Sequence, residues 1–259
     1  MIYTRCLLAG LLLVSFVPVA SAQVTTDQSQ KTTSGKAAQP QKNPQQKRRN
    51  PAFVPVEEDP ALPRVLLLGD SISIGYTLPL REELSGKANL VRPAMNCQYS
   101  KNGIGKLDKW LGDKPWDVIH FNFGLHDIKH VIEGSQLVSL DTEGCHRLET
   151  EEGYEANMRE IVAKLKKTGA ALIWCSTTPV PDGAKGRIPG DAARYNEIAR
   201  RVMEENDVAI NDLFKMATPR LDEIQRKADV HFTKAGSQEL AKMLAPLIIE
   251  KLKTKSDSK

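Results

Sequence analysis

The sequence predicts a doubly wound α/β domain, a parallel sheet held between two layers of helices, and three observations predict it. Short apolar runs at 65–68, 118–121 and 170–174 alternate with longer stretches of helical pattern. The chain from residue 61 to 255, about 195 residues without internal repeats, is long enough for one well-buried domain. Residues able to do chemistry follow the ends of the apolar runs, at Ser71 and in the turns after 121 and 174. In a parallel sheet these turns share the carboxyl edge, where ligands bind.

Residues 1–22 carry Arg5, an apolar run over 6–19 and then Ala20-Ser21-Ala22, the pattern of a cleaved secretory signal. The run falls short of the roughly 20 residues that a membrane-spanning helix needs. The mature protein is therefore expected to be secreted or periplasmic, without a membrane span after cleavage. Cys6 leaves with the signal, and no Leu-x-x lipobox precedes it, so no lipoprotein is predicted. Residues 23–60 are rich in Gln, Lys, Pro, Thr and Ser and hold hardly an apolar residue before Phe53. Such a segment buries too little surface to offset its ordering entropy, and it is expected to be a disordered basic linker. Lys47-Arg48-Arg49 reads as a solvated tether. Part of the formal net charge of +4 lies there, which gives no ground for a nucleic-acid partner.

The domain proper starts at 61 with the strand 65–68. A helix near 78–84, a short strand 89–92 and a helix 103–111 follow. The strand 118–121, a helix 152–168 and the strand 170–174 come next, then a helix 192–205, a short strand 208–210 and a last helix 234–252. The domain is expected to be monomeric. Trp110 and Trp116 read as core or rim packing, with stacking on a sugar ring as the functional alternative. The mixed segment 131–138 reads as a loop or lid.

Three cysteines remain after the signal, Cys97, Cys145 and Cys175. They permit one disulfide, expected as Cys97 to Cys145, or three free thiols. No pair has zinc-ligand spacing. His126 and His130 stand four apart but lack the glutamate of a metallohydrolase helix, so neither metal nor organic cofactor is expected.

The strand 65–68 runs into Gly69-Asp70-Ser71-Ile72-Ser73-Ile74-Gly75, a tight turn and a helix start. That arrangement sets a hydroxyl at the mouth of the sheet with helix N-terminal amides behind it. A serine hydroxyl is a weak nucleophile until an imidazole takes its proton and a carboxylate orients the imidazole. Far downstream, Asp229-Val230-His231-Phe232-Thr233 holds both partners. His231 is expected as the base and Asp229 as its orienter, or else His231 works in a dyad with a backbone carbonyl.

Gly69-Asp70-Ser71, the turn Gly124-Leu125-His126-Asp127, and Asp229-Val230-His231 with Phe232-Thr233-Lys234-Ala235-Gly236 resemble blocks one, three and five of the SGNH hydrolases, or GDSL esterases. The likeness spans 65 to about 249 and takes in Tyr154 to Asn157 and Thr177-Thr178-Pro179-Val180-Pro181. It implies a flavodoxin-like three-layer fold and a serine esterase with a three-donor oxyanion hole. The sequence departs from the family at three places. His126 stands where the family has an oxyanion-holding asparagine, and it either donates from its ring or is a structural turn residue. Asp229 precedes the histidine by two residues, whereas the family's aspartate precedes it by three, a place held here by Ala228. The second block has no glycine near 97–98, so the backbone of Gln98 is expected as donor, with negative φ, and Gly103 as its reserve. The oxyanion hole is thus expected from Ser71, Gln98 and His126. Asp70 and Asp127 flank the site and are expected to brace turns.

Export and the low aromatic content of 5% fit a short acyl group, acetyl above all, on a soluble carbohydrate. A lipid or thioester acyl hydrolase is the second reading, and a non-catalytic glycan-binding module on the same fold the third. Exposed leucine or phenylalanine at 76–84 and 131–140 marks the second reading, and polar residues there the first.

Overall fold

The computed structural model describes residues 49–134 and 136–256. The expected signal and residues 23–48 of the expected linker lie outside the described residues. The strands are β1 (Arg64–Leu68), β2 (Asn89–Val91), β3 (Val118–Phe121), β4 (His130–Val131), β5 (His146–Arg147), β6 (Ala171–Cys175) and β7 (Ala209–Asn211). Five of them form one parallel sheet in the order β2-β1-β3-β6-β7, while β4 and β5 pair antiparallel as a separate ribbon. Each strand of the sheet was legible as an apolar run, within a residue or two of its ends.

The helices are α1 (Ser71–Glu83), α2 (Ser100–Leu111), α3 (Glu151–Lys166), α4 (Asp191–Glu204), the short α5 (Leu213–Ala217) and α6 (Leu221–Ile224), and the long α7 (Lys234–Ser256). α1 packs on α7, whereas α2, α3 and α4 follow one another as a second layer. The result is the three-layer α/β/α arrangement expected from the sequence. Strand order reverses between β1 and β3, the place where a doubly wound sheet opens a crevice at its carboxyl edge. The residues after β1 and after β3 flank that crevice.

Burial holds these layers in place. Val65, Leu67, Leu68, Ile119, Phe121 and Trp174 are fully buried, and each aliphatic side chain so removed from water contributes about 1.5–3 kcal/mol. α1 begins at Ser71, well before the expected 78, because Ile72, Tyr76 and Leu80 recur four apart and all face the core. α2 likewise starts at Ser100, ahead of 103.

Two further expectations are corrected. The linker was expected to run to 60, yet Asn50 caps a 3-10 turn over Pro51–Phe53 whose Ala52 is buried. Asp59 and Asn89 then bond reciprocally at 2.9 and 2.8 Å, and Glu58 pairs with Arg64. Residues 50–60 are therefore packed against the domain. The Cys97–Cys145 disulfide is absent, and all three cysteines are free thiols. Cys97 is packed under the β1–α1 turn, its N–H donating to the Gly69 carbonyl at 3.2 Å, and burial pushes its thiol up to about 11. Cys145 lies half-buried on the ribbon between β4 and β5.

Candidate active site

β1 brings Leu68 to the carboxyl edge, and Gly69 and Asp70 turn the chain into α1. A Cβ at residue 69 would lie 2.9 Å from Ser73 Cβ, so the turn closes only around glycine. Asp70 caps the helix, its Oδ1 accepting from the Ile72 N–H at 2.9 Å, and the Ser73 hydroxyl donates to the Asp70 carbonyl at 2.7 Å. Ser71 is thus the first helical residue, at the positive end of the α1 dipole.

Under this turn lies a residue that the sequence reading missed. Among the described residues the buried Arg92 meets no carboxylate; its Nε donates to the Pro93 carbonyl at 3.3 Å, and its η nitrogens donate to Ser73 Oγ at 3.1 Å, Thr77 Oγ1 at 2.7 Å, the Gly69 carbonyl at 3.5 Å and the Met95 carbonyl at 3.3 Å. The Phe53 ring covers its guanidinium at 5.5 Å. Arg92 therefore ties the nucleophile turn to the segment around 50–53.

The histidine arrives on a closed loop. Gln225 and Phe232 form an antiparallel bridge, the Arg226 N–H donates to the His231 carbonyl at 2.9 Å, and the Gln225 amide donates to the Pro179 and Val230 carbonyls at 3.0 and 3.2 Å. Thr233 then caps α7 by accepting from the Gly236 N–H at 2.9 Å. A Cβ at Gly236 would lie 2.0 Å from the Ile224 carbonyl oxygen, which accounts for the glycine of that motif.

This loop sets His231 Nε2 2.9 Å from Ser71 Oγ and His231 Nδ1 2.7 Å from Asp229 Oδ1. The same Asp229 oxygen accepts from the His231 backbone N–H at 3.0 Å. Ala228 has φ +51, the left-handed region, and this reversal brings an aspartate only two residues before the histidine under the ring. Burial pushes the Asp229 carboxyl up, but the hydrogen bonds from the His231 backbone and ring outweigh it and hold the carboxyl below its ordinary value. The three groups form a continuous path for one proton.

The β3 turn supplies the third element. Gly124 has φ +149, and a Cβ there would lie 2.2 Å from Thr177 Oγ1. The Tyr154 hydroxyl donates to the Phe123 carbonyl at 2.7 Å and so fixes the turn from behind. His126 follows, with Nδ1 buried and unpartnered. Burial, aided by the charges of Lys129, Arg187 and His231, lowers the His126 pKa to about 4, so its ring is neutral near pH 7. Asp127 is fully buried and accepts from the Ser100 N–H at 3.0 Å and the Ser100 hydroxyl at 2.5 Å. Asn157 donates to Ser100 Oγ at 2.9 Å and to Glu149 Oε2 at 3.0 Å. Burial outweighs these bonds and pushes the Asp127 carboxyl up to about 7. Asp127 thus joins the β3 turn to the start of α2, and Asp70 caps α1, both bracing roles.

The expected second-block donor is corrected. Gln98 has φ +63, not the negative φ expected, and its N–H is taken by Asn96 Oδ1 at 2.8 Å. Gly103, the reserve, lies inside α2 with its N–H bonded to the Tyr99 carbonyl. It is glycine because a Cβ would lie 2.6 Å from the Phe123 ring. Trp110 and Trp116 lie where α2 ends and β3 begins, at the sheet edge opposite Ser71. The Trp116 indole N–H donates to the Leu111 carbonyl at 2.8 Å, so sugar stacking at the site falls away. The expected lid segment 131–138 begins on the second residue of β4, and its Val138 N–H donates to the His130 carbonyl at 3.0 Å, while His130, just before it, donates its N–H to the Gly186 carbonyl at 2.8 Å.

A groove of about 620 Å³ opens beside Ser71 and His231, with apolar Ile74, Leu78, Pro79 and Phe232 and charged Glu82, Arg226 and Lys234 in its lining. The residues chosen to separate sugar from lipid readings are mixed. Leu78, Ile132 and Leu140 are exposed, whereas Tyr76, Leu80, Leu84 and Val131 are buried. Arg187 and Lys129, both buried near His126, are also site residues that the sequence reading missed. Nothing in the sequence sets them apart from surface cations.

Comparison with known proteins agrees with this geometry. The family model described as GDSL-like lipase/acylhydrolase matches residues 67–239. Among solved structures, the acetyl xylan esterase AlAXEase is 18% identical with a TM-score of 0.57, over 71% of this chain and 99% of that one. A lipase/acylhydrolase from Enterococcus faecalis is 17% identical with a TM-score of 0.60, over 73% and 96%. A catalytic mutant of Axe2, an acetylxylan esterase from Geobacillus stearothermophilus, is 14% identical with a TM-score of 0.56, over 77% and 96%. At these identities the likeness is one of fold. No curated protein matches the sequence.

Proposed function

Since the chain belongs to the GDSL-like lipase/acylhydrolase family and is a carboxylic ester hydrolase, we propose that it is an exported serine esterase that removes a short acyl group, acetyl above all, from a carbohydrate through an acyl-enzyme. The observation that carries this reading is the unbroken path from Ser71 Oγ to His231 Nε2 at 2.9 Å and from His231 Nδ1 to Asp229 Oδ1 at 2.7 Å. Ser71 Oγ attacks the ester carbonyl as His231 Nε2 accepts its proton, and Asp229 stabilises the imidazolium that forms. The Ser71 N–H and the His126 ring N–H donate to the developing oxyanion. His231 passes its proton to the leaving alcohol, and water, activated by the same histidine, then releases the acid. A module that only binds glycans has no need of this relay.

Solved acetylxylan esterases share the fold, and the charged residues of the groove, Glu82, Arg226 and Lys234, suit a polar alcohol moiety. The apolar residues of that groove support the second reading, a longer acyl chain. The two are separated by 4-nitrophenyl esters of increasing acyl length, assayed with the wild type, Ser71→Ala and His231→Ala, and followed by acetate release from acetylated xylan. The expected result is highest kcat/KM on acetate and loss of about a thousand-fold or more in both variants. Rising kcat/KM toward octanoate overturns the short-acyl reading. Turnover indifferent to Ser71→Ala overturns the serine mechanism.

A further inference from the structure

Arg187 differs from Arg92, the other buried arginine, in what it leaves unused. Arg92 spends its donors on hydroxyls and carbonyls around the nucleophile turn. Arg187 is 7% exposed, yet only its Nε is engaged, donating to the Leu125 carbonyl at 2.8 Å. Among the described residues its η nitrogens meet no acceptor, and no carboxylate forms an ion pair with it. Lys129 on the neighbouring turn is equally buried and equally without an ion pair.

These groups are held, not free to swing out. The His130 N–H donates to the Gly186 carbonyl at 2.8 Å. Residue 186, at φ +62, has no room for a Cβ, which would lie 2.2 Å from the Val138 carbonyl oxygen. Arg187 also stands within electrostatic reach of Asp70, next to the nucleophile, and of Asp229, next to the base. Neither carboxylate pairs with Arg187 among the described residues: Asp70 Oδ1 accepts from the Ile72 N–H, Asp229 Oδ1 serves His231, and Asp229 Oδ2 faces Arg226 at 3.7 Å. The Arg187 side chain is packed in along most of its length while its η nitrogens stay reachable, within electrostatic reach of the groups beside the nucleophile and the base. Its free fork of two η N–H groups matches a planar, two-oxygen anion.

We propose that Arg187, with Lys129 beside it, forms a subsite for a carboxylate carried by the ester substrate. The carboxylate sits either on the acyl group, as in a dicarboxylic half-ester, or on the sugar, as in an acidic monosaccharide. This inference rests on the esterase reading and adds to it that the preferred ester is acidic.

The test uses the full chain and two matched pairs, mono-4-nitrophenyl succinate against 4-nitrophenyl butyrate for the acyl side, and acetylated glucuronic acid against acetylated glucose for the sugar side. In the wild type the acidic member of one pair has the higher kcat/KM, and which pair does so identifies the side. That acidic-to-neutral ratio falls about tenfold or more in Arg187→Gln, mostly through KM, and recovers in part in Arg187→Lys. The wild-type ratio also falls as NaCl is raised, a readout that needs no variant to fold. A wild type that favours the neutral ester in both pairs, or a ratio unmoved by Arg187→Gln, overturns the subsite and leaves the esterase reading standing. If no ester is cleaved faster than by Ser71→Ala, the esterase reading fails. Calorimetric titration of succinate, glucuronate and glucose then still decides the subsite, because binding of an acid that Arg187→Gln abolishes upholds it and absence of such binding overturns it.

Discussion

Replacing Asp229 by asparagine is predicted to cost less than replacing it by alanine, and the reason lies in which oxygen does the work. An asparagine beside a catalytic histidine is damaging when its amide N–H turns toward the ring and forces the wrong tautomer. Here a single oxygen, Asp229 Oδ1, accepts both from the His231 backbone N–H at 3.0 Å and from the ring Nδ1 at 2.7 Å. In Asp229→Asn the backbone N–H still demands an oxygen at that place, so the amide keeps its carbonyl toward Nδ1 and the tautomer is preserved. What is lost is charge. A hydrogen bond to a charged group is worth about 1.5–3 kcal/mol and a neutral one about 0.5–1.5, and weaker stabilisation of the imidazolium at this half-exposed position adds about 1 kcal/mol. The sum, about 1–3 kcal/mol, is roughly ten- to a hundred-fold in kcat/KM.

Asp229→Ala removes both bonds, frees the ring and unties the loop from its own backbone, for a loss of roughly a hundred- to a thousand-fold. The assay is steady-state hydrolysis of 4-nitrophenyl acetate by the three proteins, with melting curves as a control. The side chain is 37% exposed, so melting temperatures are expected to stay close. Asparagine worse than alanine would show that the amide flips and that the shared-oxygen argument is wrong. Both variants within about threefold of the parent would show that His231 is oriented by something else, returning the site to a dyad.

Arg92→Met removes five donated bonds beneath and beside the nucleophile turn while keeping the stem's bulk. It is expected to lower stability by about 2–4 kcal/mol, seen as a melting shift of roughly 5–15 °C, with kcat falling more than KM rises; unchanged melting and kcat would show that the arginine only fills space. His120→Leu concerns β3, where the imidazole is fully buried with neither ring nitrogen partnered. Burial lowers its pKa to about 4, from an ordinary value of 6.5. The folded-state pKa is depressed, so its share of stability is present above pH 6.5 and drains away as the pH falls through about 4. This amounts to about 3 kcal/mol. Asp127, raised to about 7, works in the opposite sense but is common to both proteins. Urea unfolding between pH 7.5 and 4 should therefore show the leucine variant gaining on the parent by about that amount, and parallel stability curves would contradict the assignment.

What was legible and what was not follows from how local each cause is. The central strands of the sheet are apolar almost throughout because both faces are covered, so β1, β3 and β6 could be read directly from 65–68, 118–121 and 170–174, where His120 is the one polar residue. Ser71, His231 and Asp229 were legible because each stands in a short motif at a strand end or helix start. Residues 50–60 were not, because their order comes from partners far along the chain, Asn89 for Asp59 and Arg92 for Phe53. The β4–β5 ribbon has two residues per strand, too few for a period to declare itself.

The least legible feature is also the one that adapts this site. Gln98 and Ala228 both have left-handed backbones, at φ +63 and +51, a conformation that costs a non-glycine residue about 1–2 kcal/mol. A sequence reader who meets glutamine or alanine assumes negative φ, and that assumption made Gln98 an oxyanion donor and left the reach of Asp229 unexplained. Each reversal is held by its surroundings: the Gln98 N–H by Asn96 Oδ1, and Ala228 by a loop in which the Asp229 N–H donates to the Arg226 carbonyl at 3.3 Å. Strain that persists beside reacting groups is retained for what it positions. At Ala228 the thing positioned is plain, since without the reversal an aspartate two residues before His231 would extend away from the ring. The family spacing of three is thus one solution to placing an oxygen under Nδ1, and a left-handed alanine followed by aspartate is another.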